Sequence, residues 1–114
     1  MLSDDDVVLV ISNAPDILLA KRIAHVLVEE GLAACVNLGA PGLSVYMWNG
    51  TVEGTEEIPL WIKTTSRWQQ AVIQALANMH PYDVPEIIVV PVVGGAAPYL
   101  AWVREQTNAP SGAQ

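Results

Sequence analysis

The sequence is poor in the groups on which many single-domain functions rest. Only five lysines and arginines stand against twelve acidic residues, a net charge of −7 over 114 residues. Nucleic-acid binding needs clustered cations to neutralise phosphate, so that class is excluded. The single cysteine, Cys35, rules out an intrachain disulfide, a thiolate zinc site built by one chain and any Cys-x-x-Cys redox pair. A lone thiol fits a reducing compartment. No apolar run approaches the ~20 residues that cross a bilayer, and Asp4-Asp5-Asp6 stands where an export signal would carry positive charge. The expected setting is therefore the cytoplasm, with no membrane span. Gly-rich phosphate loops are missing, and no strand-to-helix elbow places Ser, His and Asp as a triad.

What is present is apolar. Hydrophobic residues make up 52% of the chain and charged ones 15%, more than a small monomer with its large surface can hide. Part of that surface is expected to lie under another subunit. The length suits one domain, set here at residues 1–107, and the Asn-Ala-Pro-Ser-Gly composition of 108–114 reads as a flexible tail.

Val7-Val8-Leu9-Val10-Ile11 is short, continuous and β-branched, the mark of a strand covered on both faces. Pro15 and Asp16 sit at a helix start, with Asp16 in its first turn. Ala20, Ile23, Ala24, Leu27 and Val28 recur at helical spacing until Gly31 closes the helix. His25 falls on the polar face. A second strand begins at Leu32 and bends at Gly39-Ala40-Pro41-Gly42 before alternation resumes through Trp48. Asn49-Gly50 is a strong hairpin signal, and the return arm runs from Thr51 to Thr65. In that arm Ile58, Leu60 and Ile62 share one face; Pro59, Trp61 and Lys63 share the other. Pro59 predicts an edge strand or bulge. Ser66 is a candidate N-cap for a helix burying Trp68, Val72, Ala75, Leu76 and Met79. A fourth strand runs from Ile87 to Val93, and Pro98 opens a last helix.

This order, βαββαβ plus a terminal helix, predicts an α+β, ferredoxin-like subunit with an extended hairpin between its second and third strands. Such a sheet buries one face under two helices and leaves the other free for a partner. The long hairpin, with Trp48, Trp61 and later Trp102, is the expected intersubunit surface.

The richest chemistry lies in His80-Pro81-Tyr82-Asp83-Val84-Pro85-Glu86. Two prolines four residues apart stiffen this connector, and an apolar strand anchors its end. Imidazole and thiolate suit copper and zinc, which makes His80 and Cys35 metal candidates. Each also has a structural reading, His80 beside a helix C-terminus and Cys35 as a small core residue. One chain supplies too few soft ligands for a closed site, whereas a symmetric oligomer gathers His80 from each subunit. Lys63, flanked by Ile62 and Thr64, is expected to pair with Glu86 near Tyr82, either in a polar pocket or as an interfacial salt bridge. An acylphosphatase on this fold needs an arginine-bearing anion loop after its first strand; Ser12-Asn13-Ala14-Pro15-Asp16 has none, so no catalytic residue is assigned.

Taken in order, six stretches resemble the CutA family of divalent-cation tolerance proteins over residues 7 to 103. They are Ala14-Pro15-Asp16, residues 31–37 (Gly-Leu-Ala-Ala-Cys-Val-Asn), Tyr46-Met47-Trp48-Asn49-Gly50, Ile62-Lys63-Thr64-Thr65, the connector itself, and Pro91-Val92 leading to Tyr99-Leu100-Ala101-Trp102. The resemblance implies a tight PII-like homotrimer whose strands pair between subunits, with Cys35, Lys63, Tyr82 and Glu86 near the intersubunit clefts. It also implies copper binding by a Cys after the first strand and by histidines ahead of the Pro-Tyr. Here those places hold Ser12 and Met79-His80, so His80 alone matches. The expected function is non-enzymatic: divalent cation (copper) tolerance or response, through a small-molecule or metal ligand captured between subunits. The alternatives are a structural or partner-binding trimer without a physiological metal, and a minor hydrolase on the same fold.

Overall fold

The first strand pairs on both sides, and the rest of the sheet follows from that. In the computed structural model, which describes residues 1–107, β1 (Val7–Ala14) lies between β4 (Thr51–Thr65) and β5 (Ile87–Pro91), antiparallel to both. β2 (Cys35–Leu38) lies outside β4, giving the order β2-β4-β1-β5 of a ferredoxin-like sheet. α1 (Ile17–Glu29) and α2 (Gln69–Met79) cover one face, and α3 (Ala97–Gln106) follows β5. The expected tail at 108–114 lies outside the described residues.

Period-two alternation divides the sheet. Val8, Val10, Leu60 and Ile62 face the helices and join Ala20, Ile23, Leu27, Val72 and Leu76 in the main core. Each fully buried Leu or Ile there contributes about 1.5–3 kcal/mol. Leu9, Ile11, Asn13, Pro59, Trp61, Lys63, Ile88 and Val90 lie on the opposite, outer face, as register and alternation require. α3 covers one end of that face, where Val103 and Leu100 pack with Val7, Ala34 and Val92.

The ends of α1 follow from sequence chemistry. Asp16 is the N-cap itself, accepting the Leu19 N–H at 2.8 Å, so it precedes the first turn in which it was expected. At the other end Gly31 has φ 71°, with Gly31 N–H on Val28 O and Leu32 N–H on Leu27 O. These are the two bonds of a Schellman cap, and the left-handed position favours glycine.

Four expectations need correction. The second strand does not merely bend: it breaks into β2 and β3 (Gly42–Trp48), each pairing with β4. Gly39 lies at the break because a Cβ there would fall 2.6 Å from Pro59 Cγ and 2.8 Å from the Trp61 ring. Pro59 is not on an edge strand, since β4 pairs on both sides. Its carbonyl accepts Gly39 N–H, so its missing N–H faces the gap between β2 and β3, where no strand needs it. Ser66 does not cap α2. It opens a 3₁₀ turn, and its Oγ accepts from the Gln69 side chain. Finally, β5 stops at Pro91, short of Val93, which is solvent-exposed.

The hairpin turn is as expected. Asn49 (φ 49°) and Gly50 (φ 78°) both take left-handed geometry between Trp48 and Thr51, the arrangement that matches strand twist. Its ribbon presents an apolar strip on one side: Leu43, Val45, Met47 and Val52 are 72%, 64%, 64% and 64% exposed. Among the described residues nothing else covers them.

Candidate functional site

The connector from His80 to Glu86 is fastened to the outer face by four contacts. His80 ends α2 and turns inward, only 7% exposed. Its Nε2 donates to Asn13 O at 2.8 Å, and its Nδ1 accepts Tyr82 N–H at 3.2 Å. An imidazole with one nitrogen donating to a carbonyl and the other accepting an amide N–H is the neutral Nε2–H tautomer. Glu86 is held by Asn13 Nδ2 at 3.1 Å, and its carbonyl accepts Ser12 Oγ–H at 2.7 Å. Tyr82 stacks obliquely on His80 with ring centroids 4.5 Å apart, and its phenol donates to Glu57 Oε2 at 3.0 Å. Burial pushes the Tyr82 phenol above the usual tyrosine range, and the bond to Glu57 pushes it further.

Between this connector and the β3–β4 ribbon lies a groove of about 580 Å³. Its walls carry Tyr46, Trp48 and Tyr82, and the carboxylates Glu53, Glu57, Asp83 and Glu86. No lysine, arginine or histidine lines it. The Tyr46 and Thr55 hydroxyls, 2.7 Å apart, brace the ribbon side.

The expected site residues fall into two groups. Tyr82 and Glu86 are together at the groove. Cys35 and Lys63 face each other across β2 and β4 at the far end of the outer face, where burial and then the neighbouring Cys35 thiol raise the Tyr99 phenol. The expected Lys63–Glu86 pair is not formed within the chain. Lys63 lies opposite Leu9 and Glu86 beside Asn13, so four strand positions of roughly 3.3 Å each separate them. The ion pairs among the described residues join Arg67 with Asp4 and Asp5, and His25 Nδ1 lies 3.6 Å from Glu29 Oε1. Trp48, Trp61 and Trp102 are all exposed, Trp61 in the middle of the outer face and Trp48 at the ribbon tip.

Metal binding can be tested against these positions. Both His80 nitrogens are committed, so the ring as held has no free lone pair. Cys35 Sγ lies 3.7 Å from Asn37 Oδ1, with no histidine or carboxylate gathered around it. Among the described residues no three His, Cys, Asp or Glu side chains converge on a point that could hold a metal ion.

Glu57 was not singled out from the sequence, where it is one of several acids after a turn. Its parity with Pro59, Trp61 and Lys63 along β4 was the available signal, because it places Glu57 on their face.

Comparison with known proteins bears on identity. Residues 8–106 match the model of the CutA1 divalent ion tolerance protein family. The divalent-cation tolerance protein CutA of Pectobacterium atrosepticum is 43% identical over 99 residues, 87% of this chain and 90% of that protein. Among solved structures, CutA from Xylella fastidiosa superposes with a TM-score of 0.88 at 43% identity, covering 90% of this chain and 98% of that one. CutA1 from a psychrotrophic Shewanella superposes with a TM-score of 0.89 at 38% identity, covering 91% and 97%.

Proposed function

The chain belongs to the CutA1 divalent ion tolerance family, and from that premise we infer that it acts as a homotrimer whose intersubunit clefts capture a ligand and signal its presence. It is a binding protein and not an enzyme. It works in the cytoplasm, where a lone thiol with no disulfide partner stays reduced; no described helix is long and apolar enough to cross a membrane.

The observation that carries this reading is the apolar surface the chain leaves bare. Four side chains on the ribbon, with Trp61, Ile88 and Val90 on the outer face, are in water in a single copy. Exposed apolar strips of this extent mark association surfaces. The charges agree: among the described residues Lys63 has no acidic partner, while Glu57 and Glu86 have no cationic one. A neighbour lying across the outer face would set Lys63 and Cys35 of one copy near Tyr82 and Glu86 of the next, completing the cleft.

A divalent cation such as copper is the ligand the family description suggests. Among the described residues the donors of one chain do not converge on a cation, so in this reading one is held by groups from more than one subunit. That same observation favours a second reading, a trimer that serves a macromolecular partner without a resident metal. Light scattering on the purified chain tests the first claim. Three chains per particle at micromolar concentration support it, and a well-folded single chain overturns it. Calorimetry with Cu²⁺ and Zn²⁺ separates the two readings: saturable, stoichiometric heats support the cation-responsive one, and their absence the partner-binding one.

A further inference from the structure

We propose that Asn49-Gly50, the tip of the β3–β4 ribbon, is a site of spontaneous isoaspartate formation whose rate is set by opening of the ribbon, so that chains outside an assembly age there and assembled ones are spared. The site is built by one chain; its sparing by assembly rests on the homotrimer inferred above.

Chemistry singles out this pair. The reaction begins when the backbone nitrogen of Gly50, having given up its proton, attacks Asn49 Cγ. A bond forms between that nitrogen and Cγ, the Cγ–Nδ2 bond breaks, and the Gly50 proton, passed through solvent, leaves with Nδ2 as ammonia. Water then opens the five-membered imide, at the side-chain carbonyl to give aspartate or at the main-chain carbonyl to give isoaspartate. No oxidant or enzyme is needed. Attack is easiest where the following residue has no side chain, and Asn49-Gly50 is the one Asn-Gly step in the sequence. Both residues are exposed, and a Cβ on Gly50 would meet nothing within 4 Å, so water reaches the reacting atoms.

The other described asparagines are engaged. Asn13 Nδ2 donates to Glu86 Oε1 at 3.1 Å, Asn37 Oδ1 accepts the Cys35 thiol at 3.7 Å, and Asn78 Oδ1 accepts Gln74 Nε2 at 3.1 Å. Each lies in a strand or helix, and each is followed by a residue with a side chain. At the ribbon tip, among the described residues, neither the Asn49 side chain nor the Gly50 N–H has a partner. The side-chain bond nearest to them, Tyr46 with Thr55, lies further down the ribbon.

Turn geometry is the gate. Asn49, at φ 49°, is in the left-handed region, where ψ is about +47°. That ψ sets Gly50 N opposite Asn49 Cβ across the Cα–C bond, whereas a five-membered ring needs the two on the same side. The closed hairpin therefore blocks attack, and the imide forms when the tip opens. A lone two-stranded ribbon opens readily, and the bare strip on this one reaches Met47 and Val52, the pair next to the turn. Covering that strip with a neighbour makes openings rarer. The two products then differ. Aspartate keeps a turn-forming Asp-Gly pair. Isoaspartate routes the main chain through Cβ and adds an atom between Trp48 and Thr51, so a two-residue turn no longer matches their pairing.

The test is to age the full chain in warm, mildly alkaline buffer, locating products by peptide mass spectrometry and reading isoaspartate by enzymatic methylation of its free α-carboxylate. Residues 23–63 form one tryptic peptide that holds both Asn37 and Asn49, which supplies an internal control. Wild type, the double variant Val45→Glu with Met47→Glu, and wild type in guanidinium chloride are compared. Isoaspartate is expected at Asn49 and not at Asn37, about tenfold faster in the double variant than in wild type, and faster again in denaturant. Asn49→Asp should keep the wild-type particle mass, while aged chains carrying isoaspartate should separate as single chains. No excess of Asn49 over Asn37 in the folded double variant overturns the site. Equal rates in folded wild type and in denaturant overturn the gate, and a single-chain double variant that ages at the wild-type rate overturns the sparing by assembly. A wild type that is itself a single chain overturns the homotrimer and the sparing with it, while the comparison with denaturant still decides the gate.

Discussion

Tyr82 donates its phenolic O–H to Glu57 Oε2 at 3.0 Å, joining residues 25 apart in sequence. That bond ties the connector to the foot of the ribbon, while His80 and Glu86 tie it to β1. The floor of the groove is thus a rigid loop held from both sides.

Replacing Tyr82 by Phe should cost about 1 kcal/mol near neutral pH, the net worth of one hydrogen bond to a partly exposed group. The cost should depend on pH in a defined direction. Burial and Glu57 raise the Tyr82 phenol in the folded protein, so the folded state holds that proton more tightly than the unfolded chain. The stabilisation is full below the ordinary tyrosine value of about 10 and is lost as pH rises through the raised folded value. Urea midpoints of wild type and Tyr82→Phe should therefore differ at pH 8 and draw together above about pH 10. Tyr99 is raised as well, but it is common to both proteins and cancels. A gap that stays constant with pH would show that Tyr82 is not the donor.

His80→Ala should destabilise the fold by about 2 kcal/mol, because it strands the Asn13 carbonyl and the Tyr82 amide in a half-buried place. Chemical denaturation measures this directly. Because the ring has no free lone pair as held, any Cu²⁺ or Zn²⁺ heats should be the same in wild type and variant under conditions where both are folded. A heat that vanishes with the imidazole would mean that the ring leaves Asn13 to bind metal.

Gly39→Ala probes the break in the sheet. The added Cβ would lie 2.6 Å from Pro59 Cγ and 2.8 Å from the Trp61 ring, and neither ring can swing away without leaving the sheet face. A loss of about 1–3 kcal/mol is expected, as for other overpacked sites, with a shift in tryptophan emission as Trp61 moves. An unchanged urea midpoint would show that β2 relaxes freely.

These contacts also explain how far the sequence could be read. The runs at Val7–Ile11 and Ile87–Val90, the i, i+3, i+4 stripe through Ala20, Ile23 and Leu27, Gly31 and Asn49-Gly50 are local signals, and each acts within a few residues. They were enough for the order of elements and hence the fold. Whether Gly39-Ala40-Pro41 bends a strand or breaks it depends on Trp61 and Pro59, some twenty residues away, which no local pattern reveals. The site divided in the same way. Tyr82 and Glu86 were legible because two prolines stiffen their segment. The Lys63–Glu86 pair is not made within one chain, because register, fixed by the whole β1–β4 ladder, sets Lys63 opposite Leu9. Glu57 was hidden because its burial is supplied by the connector, not by its own strand.

The ribbon decides whether one chain is a complete molecule. A two-stranded ribbon is at best marginally stable in water by itself, yet this one carries Leu43, Val45, Met47 and Val52 on one bare side. Burying such side chains against a neighbour is worth about 1.5–3 kcal/mol each, enough to hold subunits together. The double substitution Val45→Glu with Met47→Glu sets two carboxylates in that strip without touching the core of the chain. It should reduce the particle from three chains to one, as read by light scattering, and speed amide exchange in β3 while leaving β1 protected. Leu18→Glu serves as control, since Leu18 is equally bare but lies on α1; its particle mass should not change. Val45 also lines the groove on the ribbon's other side, so the double variant tests assembly and not ligand binding. If it keeps the wild-type mass, the strip is not the interface, and the outer face around Trp61 must carry the association alone.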